Sequence, residues 1–171
     1  LRRTPKISVI IPSRDHGNML HRALESIFTL TEYPDYEVVV VDNGSTEPRA
    51  NEVLAAWLER EPARFRSLRL DIPFNFSTLC NQGARRASGE VLPFLNNDVE
   101  IVPGGWLGAM LEQAQRPSIG AVGALLLYED GSIQHAGAII GLGGLAAHSH
   151  RGISGASPGY MCQVVTINNY S

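Results

Sequence analysis

The amino-acid sequence predicts an α/β fold, a mostly parallel sheet with helices on both faces. Three observations carry this. The run Val38-Val39-Val40-Val41 contains no polar residue, as in a strand buried on both faces within a parallel sheet. Apolar runs of this kind alternate with segments whose apolar residues recur at helical spacing, the pattern of repeated β-α-β units. Two of the runs also stop abruptly, Val41 at Asp42-Asn43-Gly44-Ser45 and Leu95 at Asn96-Asn97-Asp98. Carboxylates just past buried strands sit at the carboxyl edge of the sheet, where open α/β folds bind ligands. Two of them point to a nucleotide and a divalent cation.

The elements follow in order. Residues 7–11 are the first expected strand, stopped by Pro12. Asp15 is the expected N-cap of a helix with Met19, Leu20, Ala23, Leu24, Ile27 and Phe28 at helical spacing. Residues 36–41 make the second strand, and Asn43-Gly44-Ser45 a turn. Pro48 opens a second helix running to about Arg60, with Val53, Leu54, Trp57 and Leu58 as its apolar positions. Residues 65–70 alternate as an edge strand does. A helix over 78–87 with Gly89 as its stop signal comes next. A strand over 90–95, a helix over 106–115 and a strand over 119–127 then follow. Asp130-Gly131 marks a hairpin. Beyond Ala138 the chain turns Gly-rich, which predicts a mobile surface loop, and residues 163–167 resemble one more strand. The reading is one domain over 1–171, truncated on its C-terminal side because no capping helix follows that strand.

Composition narrows the partners. A hydrophobic fraction of 44% with 18% charged residues is that of a folded globular chain. The net charge of −3 provides no basic field for nucleic acid. Cys80 and Cys162 are too few and too far apart for a disulfide scaffold or a metal knuckle, so a reducing compartment is expected. The longest apolar stretch, 136–147, falls short of the roughly 18 residues of a membrane span.

Four motifs in order resemble family-2 inverting glycosyltransferases with the GT-A, Rossmann-like fold of nucleotide-diphospho-sugar transferases. They are the opening strand with Pro12-Ser13-Arg14-Asp15, the Glu37 to Thr46 segment, Asn81-Gln82-Gly83-Ala84 with Ala87-Ser88-Gly89-Glu90, and Leu95-Asn96-Asn97-Asp98-Val99. The last is similar to the family's Asp-x-Asp motif, with Asn96 in place of the first acid. The segments 133–137 and 148–152 further resemble bacterial members that build rhamnose-containing or O-antigen-type polysaccharides.

The resemblance implies transfer of a sugar, with inversion, from a UDP- or dTDP-linked donor to a glycan or lipid-linked acceptor. Such a protein would sit in the cytoplasm or peripherally at the inner face of the membrane. It implies Asp98 as ligand of Mg²⁺ or Mn²⁺, with Asn96 and Asn97 towards ribose or diphosphate. Asn cannot supply the charge that the missing acid would. Asp42 would accept a hydrogen bond from base or ribose, or else cap the turn at Gly44 and Ser45. Pro12 and Ser13 would lie under the base. Asn75 and Asn81, the latter on the buried side of its helix, are further nucleotide contacts. His135, His148 and His150 are candidates for the diphosphate or the metal shell, and His148 and His150 share a face if that stretch is extended. A catalytic base is expected beyond Ser171, since Glu129 and Asp130 match no base motif. The alternative class is a non-catalytic nucleotide-sugar-binding or docking domain. A nucleotidyltransferase or a dinucleotide oxidoreductase would want a Gly-rich loop after the first strand, which Pro12 to Gly17 is not.

Overall fold

The valine run lies in β2 (Tyr36–Asp42), the middle strand of a parallel sheet ordered β1–β2–β3, with β1 at Ile7–Ser13 and β3 at Phe65–Arg69. Register is continuous, from Ile7 opposite Tyr36 to Ser13 opposite Asp42, and from Val38 opposite Phe65 to Asp42 opposite Arg69. The computed structural model describes residues 3–102, 105–141 and 146–164, which divide into two units, one up to Gln115 and one from Arg116 on.

Every residue of β1 and β2 is buried, because helices cover both faces. Side chains alternate across a strand. Ile7, Val9, Ile11, Val38 and Val40 therefore meet α1 (Gly17–Leu30) and α2 (Pro48–Arg60) on one face, with Leu107 and Leu111 of α4 (Trp106–Ala114) in the same cluster. Ile10 and Val41 meet Leu79 of α3 (Phe76–Arg86) on the other. Trp57 of α2 stacks on Phe28 with ring centroids 4.8 Å apart, and the Arg60 guanidinium lies over the indole. Gly83 lets α3 approach the sheet. A Cβ there would stand 2.5 Å from Ile10 Cγ2 and 2.9 Å from Val41 Cγ2.

The expected strand over 90–95 forms as an interrupted one. Its backbone pairs with the outer edge of β1 through parallel bridges at Ile7–Val91 and Ile10–Phe94. Ser8 and Ile10 donate to the carbonyls of Val91 and Pro93, and Leu95 returns a bond to Ile10. Pro93 contributes no N–H to a ladder. Spatially the order is β3, β2, β1 and then this segment.

Several expectations are corrected. Strand β1 continues through Pro12 to Ser13. The N-cap of α1 is His16, with a left-handed backbone at φ 53°, and not Asp15. Met19 and Leu58 are exposed, at 42% and 43%. The strand expected over 119–127 shrinks to β4 (Leu126–Leu127), since Gly120, Ala121, Gly123 and Ala124 around Val122 offer little apolar surface to bury. β4 pairs antiparallel with β5 (Ile133–His135), the hairpin marked by Asp130-Gly131. The Gly-rich stretch expected as a loop holds a second hairpin, β6 (Ala138–Ile140) with β7 (Ala146–His148). Residues 163 and 164 lie in a turn, and the rest of the last expected strand falls outside the described residues. Among the described residues no helix is long and apolar enough to cross a membrane.

A buried charge fixes the amino end of the sheet. The Glu37 side chain in β2 is fully buried. Its Oε1 accepts from Ser8 Oγ at 2.7 Å, Ser88 N at 2.7 Å and Ser88 Oγ at 2.8 Å, while Oε2 faces Arg66 Nε at 3.1 Å and Lys6 Nζ at 3.6 Å. Burial alone would raise its pKa. The hydrogen bonds from Ser8 and Ser88, with Lys6, outweigh it and hold the group at about 2, against 4.5 when free. A depressed carboxyl pKa stabilises the fold above the unfolded value and loses that contribution as pH falls through the folded one. Wild-type stability should therefore fall by roughly 3 kcal/mol between pH 4.5 and 2 on this group's account. Glu37→Gln should be about 2–3 kcal/mol less stable at pH 7 in urea unfolding, with that acid slope flattened. An unchanged slope would contradict the assignment. Gly83→Ala should destabilise by about 1–2 kcal/mol despite alanine's better helix propensity, because α3 must lift from the sheet. Equal or greater stability would show that the approach is not tight.

Candidate functional site

The end of the ladder at the carboxyl edge has a backbone cause. Towards the 91–95 segment, β1 donates from Ser8 and Ile10, at every second residue. The next donor in that pattern is position 12, and Pro12 has no N–H. The ladder ends there. The chain leaves β1 for β2 on one side and returns to β1's other side at 91–95, so the strand order reverses at this point. Open α/β sheets hold ligands at such a reversal.

The structure brings Ser13, Asp42 and Asn97 together here. Asn97 Nδ2 donates to Ser13 Oγ at 3.1 Å, and the Asn43 N–H donates to the Ser13 carbonyl at 2.8 Å. Pro12 is buried beside Val41. Asn96 and Asp98 flank Asn97 and are exposed. Among the described residues the Asp98 carboxylate takes part in no hydrogen bond or ion pair.

Asp42 is 2% exposed and held from two sides. Its Oδ1 accepts from Ser45 N at 2.9 Å, the turn-capping bond, and its Oδ2 from Arg69 Nη1 at 2.9 Å. Arg69 also donates from Nη1 to the Ser45 carbonyl at 3.1 Å, and from Nε and Nη2 to Asp71 at 3.3 and 3.2 Å. The bond to Asp71 and the charges of Asp71 and Asp42 raise the guanidinium's pKa. Gly44 turns the chain at φ 72°, and a Cβ there would strike Asp71 Oδ1. Neither Arg69 nor Asp71 stands out in the sequence. Their pairing becomes visible only once β3 is in register with β2, which sets Arg69 opposite Asp42.

Asp15 has a different task from the expected cap. Its carboxylate accepts from the N–H groups of Thr46 and Glu47 at 2.7 and 2.8 Å, and these bonds, Glu47 first, lower its pKa. Glu47 in turn accepts from Gly17 N at 2.9 Å, so the approaches to α1 and α2 cap each other. Asn75 is the N-cap of α3, accepting from Thr78 N at 2.9 Å. Asn81 is exposed and not on the helix's buried side, which is Leu79, Cys80 and Gly83. The helical period sets that face, and the start of α3 at Phe76 rather than at 78 leaves the period unchanged.

The donor set suits a hard cation of the Mg²⁺ or Mn²⁺ kind only in one form. Asp98 offers one unpaired carboxylate, and its neighbours offer neutral amide oxygens. Among the described residues no group of three or more His, Cys, Asp or Glu side chains is placed to hold a metal ion. That set fits an ion carried in with phosphate oxygens, not an all-protein cage.

The histidines lie in the second unit. His135 and His148 meet with their Nδ1 atoms 2.6 Å apart and their rings edge-on, so one Nδ1–H must donate to the other. Burial, and then His148, lowers the pKa of His135. His150 shares no strand face with His148, because β7 ends at His148 and His150 sits in a turn at φ 58°, its Nδ1 buried with no hydrogen-bond partner among the described residues. Asp130 accepts from the side chain and backbone of Ser132, which lowers its pKa.

Comparison with known proteins identifies the family and the fold. Residues 8–141 match the domain of glycosyl transferase family 2. The chain is 46% identical over 168 residues to protein y4gI of Sinorhizobium fredii, covering 98% of this chain and 18% of that protein. It is 43% identical over 148 residues to the O-antigen biosynthesis protein RfbC of Myxococcus xanthus, covering 86% of this chain and 11% of that one. It thus spans under a fifth of the length of either relative. Among solved structures it superposes on a Pyrobaculum calidifontis mannosyltransferase in complex with GDP-Man and Mn²⁺, with TM-score 0.65 and 24% identity over 74% of this chain and 36% of that chain. It also superposes on S. aureus TarS in complex with UDP-GlcNAc, with TM-score 0.53 and 23% identity over 64% of this chain and 31% of that one. These structures establish the fold as GT-A. The match over residues 8–141 places the chain in glycosyl transferase family 2.

Proposed function

We propose that the chain carries the donor-binding part of an inverting glycosyltransferase of polysaccharide biosynthesis. The observation that carries the reading is the gathering of Ser13, Asp42 and Asn97, with Asp98 beside them, at the point of strand reversal in a family 2 chain. The RfbC relative, named for O-antigen biosynthesis, supports the polysaccharide context. The neighbours' complexes with GDP-Man and UDP-GlcNAc support a nucleotide-sugar donor. We take the donor to be UDP- or dTDP-linked and the acceptor to be a glycan or lipid-linked saccharide. A lipid-linked acceptor would bring the protein to the cytoplasmic face of a membrane.

In this reading Pro12 and Ser13 lie under the base, and Asp42 accepts from base or ribose. Asn96 and Asn97 face ribose and diphosphate, and Asn75 and Asn81, both exposed, stay in the proposal as nucleotide contacts. Asp98 would hold Mg²⁺ or Mn²⁺ together with diphosphate oxygens, and the ion would offset the charge that grows on the leaving group. The acceptor oxygen attacks the anomeric carbon from the face opposite the diphosphate, the bond to the diphosphate breaks, and a carboxylate takes the hydroxyl proton. Proton removal of this kind contributes about 10²- to 10⁴-fold. We assign that base to no described residue, and no step to His135, His148 or His150.

Titration calorimetry with UDP and dTDP, each with and without Mn²⁺, tests the reading. Wild type should bind one of them in a Mn²⁺-dependent manner, and Asp98→Ala should lose roughly ten-fold or more in affinity. Failure of wild type to bind either nucleotide with Mn²⁺ present would refute it.

A further inference from the structure

We infer that Arg69 is the positioning residue for Asp42, aiming that carboxylate at the nucleotide. The inference rests on the proposed role of Asp42. A carboxylate at a strand end can turn about its last bond, and its usefulness as an acceptor depends on that angle. Asp42 is gripped on both oxygens, Oδ1 by the Ser45 N–H and Oδ2 by Arg69 Nη1. Each oxygen keeps a second lone pair for a ligand. Loss of Arg69 would leave only the turn bond, with a nearly buried charge no longer balanced.

Arg69 is itself held. Asp71, two residues on, takes its Nε and one Nη2 hydrogen, and the Ser45 carbonyl takes the second Nη1 hydrogen. Among the described residues, one N–H of the guanidinium has no acceptor. The chain of contacts Asp71, Arg69, Asp42, Ser45 closes on itself, because Arg69 bonds both Asp42 and the residue that Asp42 caps. The turn at Gly44 packs on Asp71 as well. A lysine ammonium lacks the planar fork needed to meet Asp71 on one side and Asp42 with Ser45 on the other.

A double-mutant cycle tests this on the whole chain. Calorimetry would measure UDP and dTDP with Mn²⁺ on wild type, Arg69→Ala, Arg69→Lys, Asp42→Ala and Arg69→Ala/Asp42→Ala, with a thermal melt of each. Arg69→Ala should weaken binding roughly ten-fold or more, and Arg69→Lys should not restore it. The double variant should bind within about two-fold of Asp42→Ala, since a residue that acts only through Asp42 has nothing left to position. Multiplying effects in the double variant, or unchanged affinity in Arg69→Ala, would overturn the inference while leaving the donor reading standing. A wild type that binds neither nucleotide would overturn both. If Arg69→Ala does not fold, Asp71→Asn frees the far side of the guanidinium and should weaken binding by a smaller factor, about three-fold. Unchanged affinity there would equally overturn it.

Discussion

Strand β1 is hydrogen-bonded along both edges, to β2 on one side and to the 91–95 segment on the other. Everything at the carboxyl edge depends on this. Two chains that leave β1 on opposite sides must end at the same rim, which brings Ser13, Asp42 and the 96–98 turn into one neighbourhood. Had the 91–95 segment joined the sheet beside β3, Asn97 would face Arg69 and its neighbours instead of Ser13. The site follows from strand order before any side chain is considered.

The two ends of this sheet use charge differently. At the amino end Glu37 is buried, fully hydrogen-bonded and bracketed by Lys6 and Arg66, so it joins β1, β2, β3 and the chain after α3 in one register. At the carboxyl end Asp15, Glu47, Asp42 and Asp71 are committed to backbone N–H groups or to Arg69. Asp98 differs from all of them in having no protein partner among the described residues. One exposed carboxylate without a protein partner is compatible with a cation that arrives on phosphate oxygens.

Much of this was legible in the sequence, for identifiable reasons. Strand β2 and helix α2 read directly, because a β-branched four-valine run ending in turn residues fits a doubly buried strand and Pro48 fits a first helical turn. The clustering of Ser13, Asp42 and Asn97 followed from the parallel order. What did not read were relations that need register or competition between partners. Arg69 looks like one member of an alternating edge strand until β3 is paired. Asp15 sits where an N-cap should be, yet the N–H groups of Thr46 and Glu47 claim it first. Asn81 lies near apolar neighbours in sequence but points away from them around the helix. The apolar stretch before Leu126 held too little side-chain bulk to become a long strand.

The central claim is that a nucleotide and its cation bind at the β1 reversal point. Amide resonances of ¹⁵N-labelled protein, followed on addition of UDP with Mg²⁺ and then Mn²⁺, test it most directly. The claim predicts shifts concentrated in residues 12–15, 42–46, 69–71, 75–81 and 96–99, with paramagnetic broadening by Mn²⁺ strongest around Asp98. Shifts centred on the amino end near Ser8, Glu37 and Ser88, or broadening that spares Asp98, would contradict it.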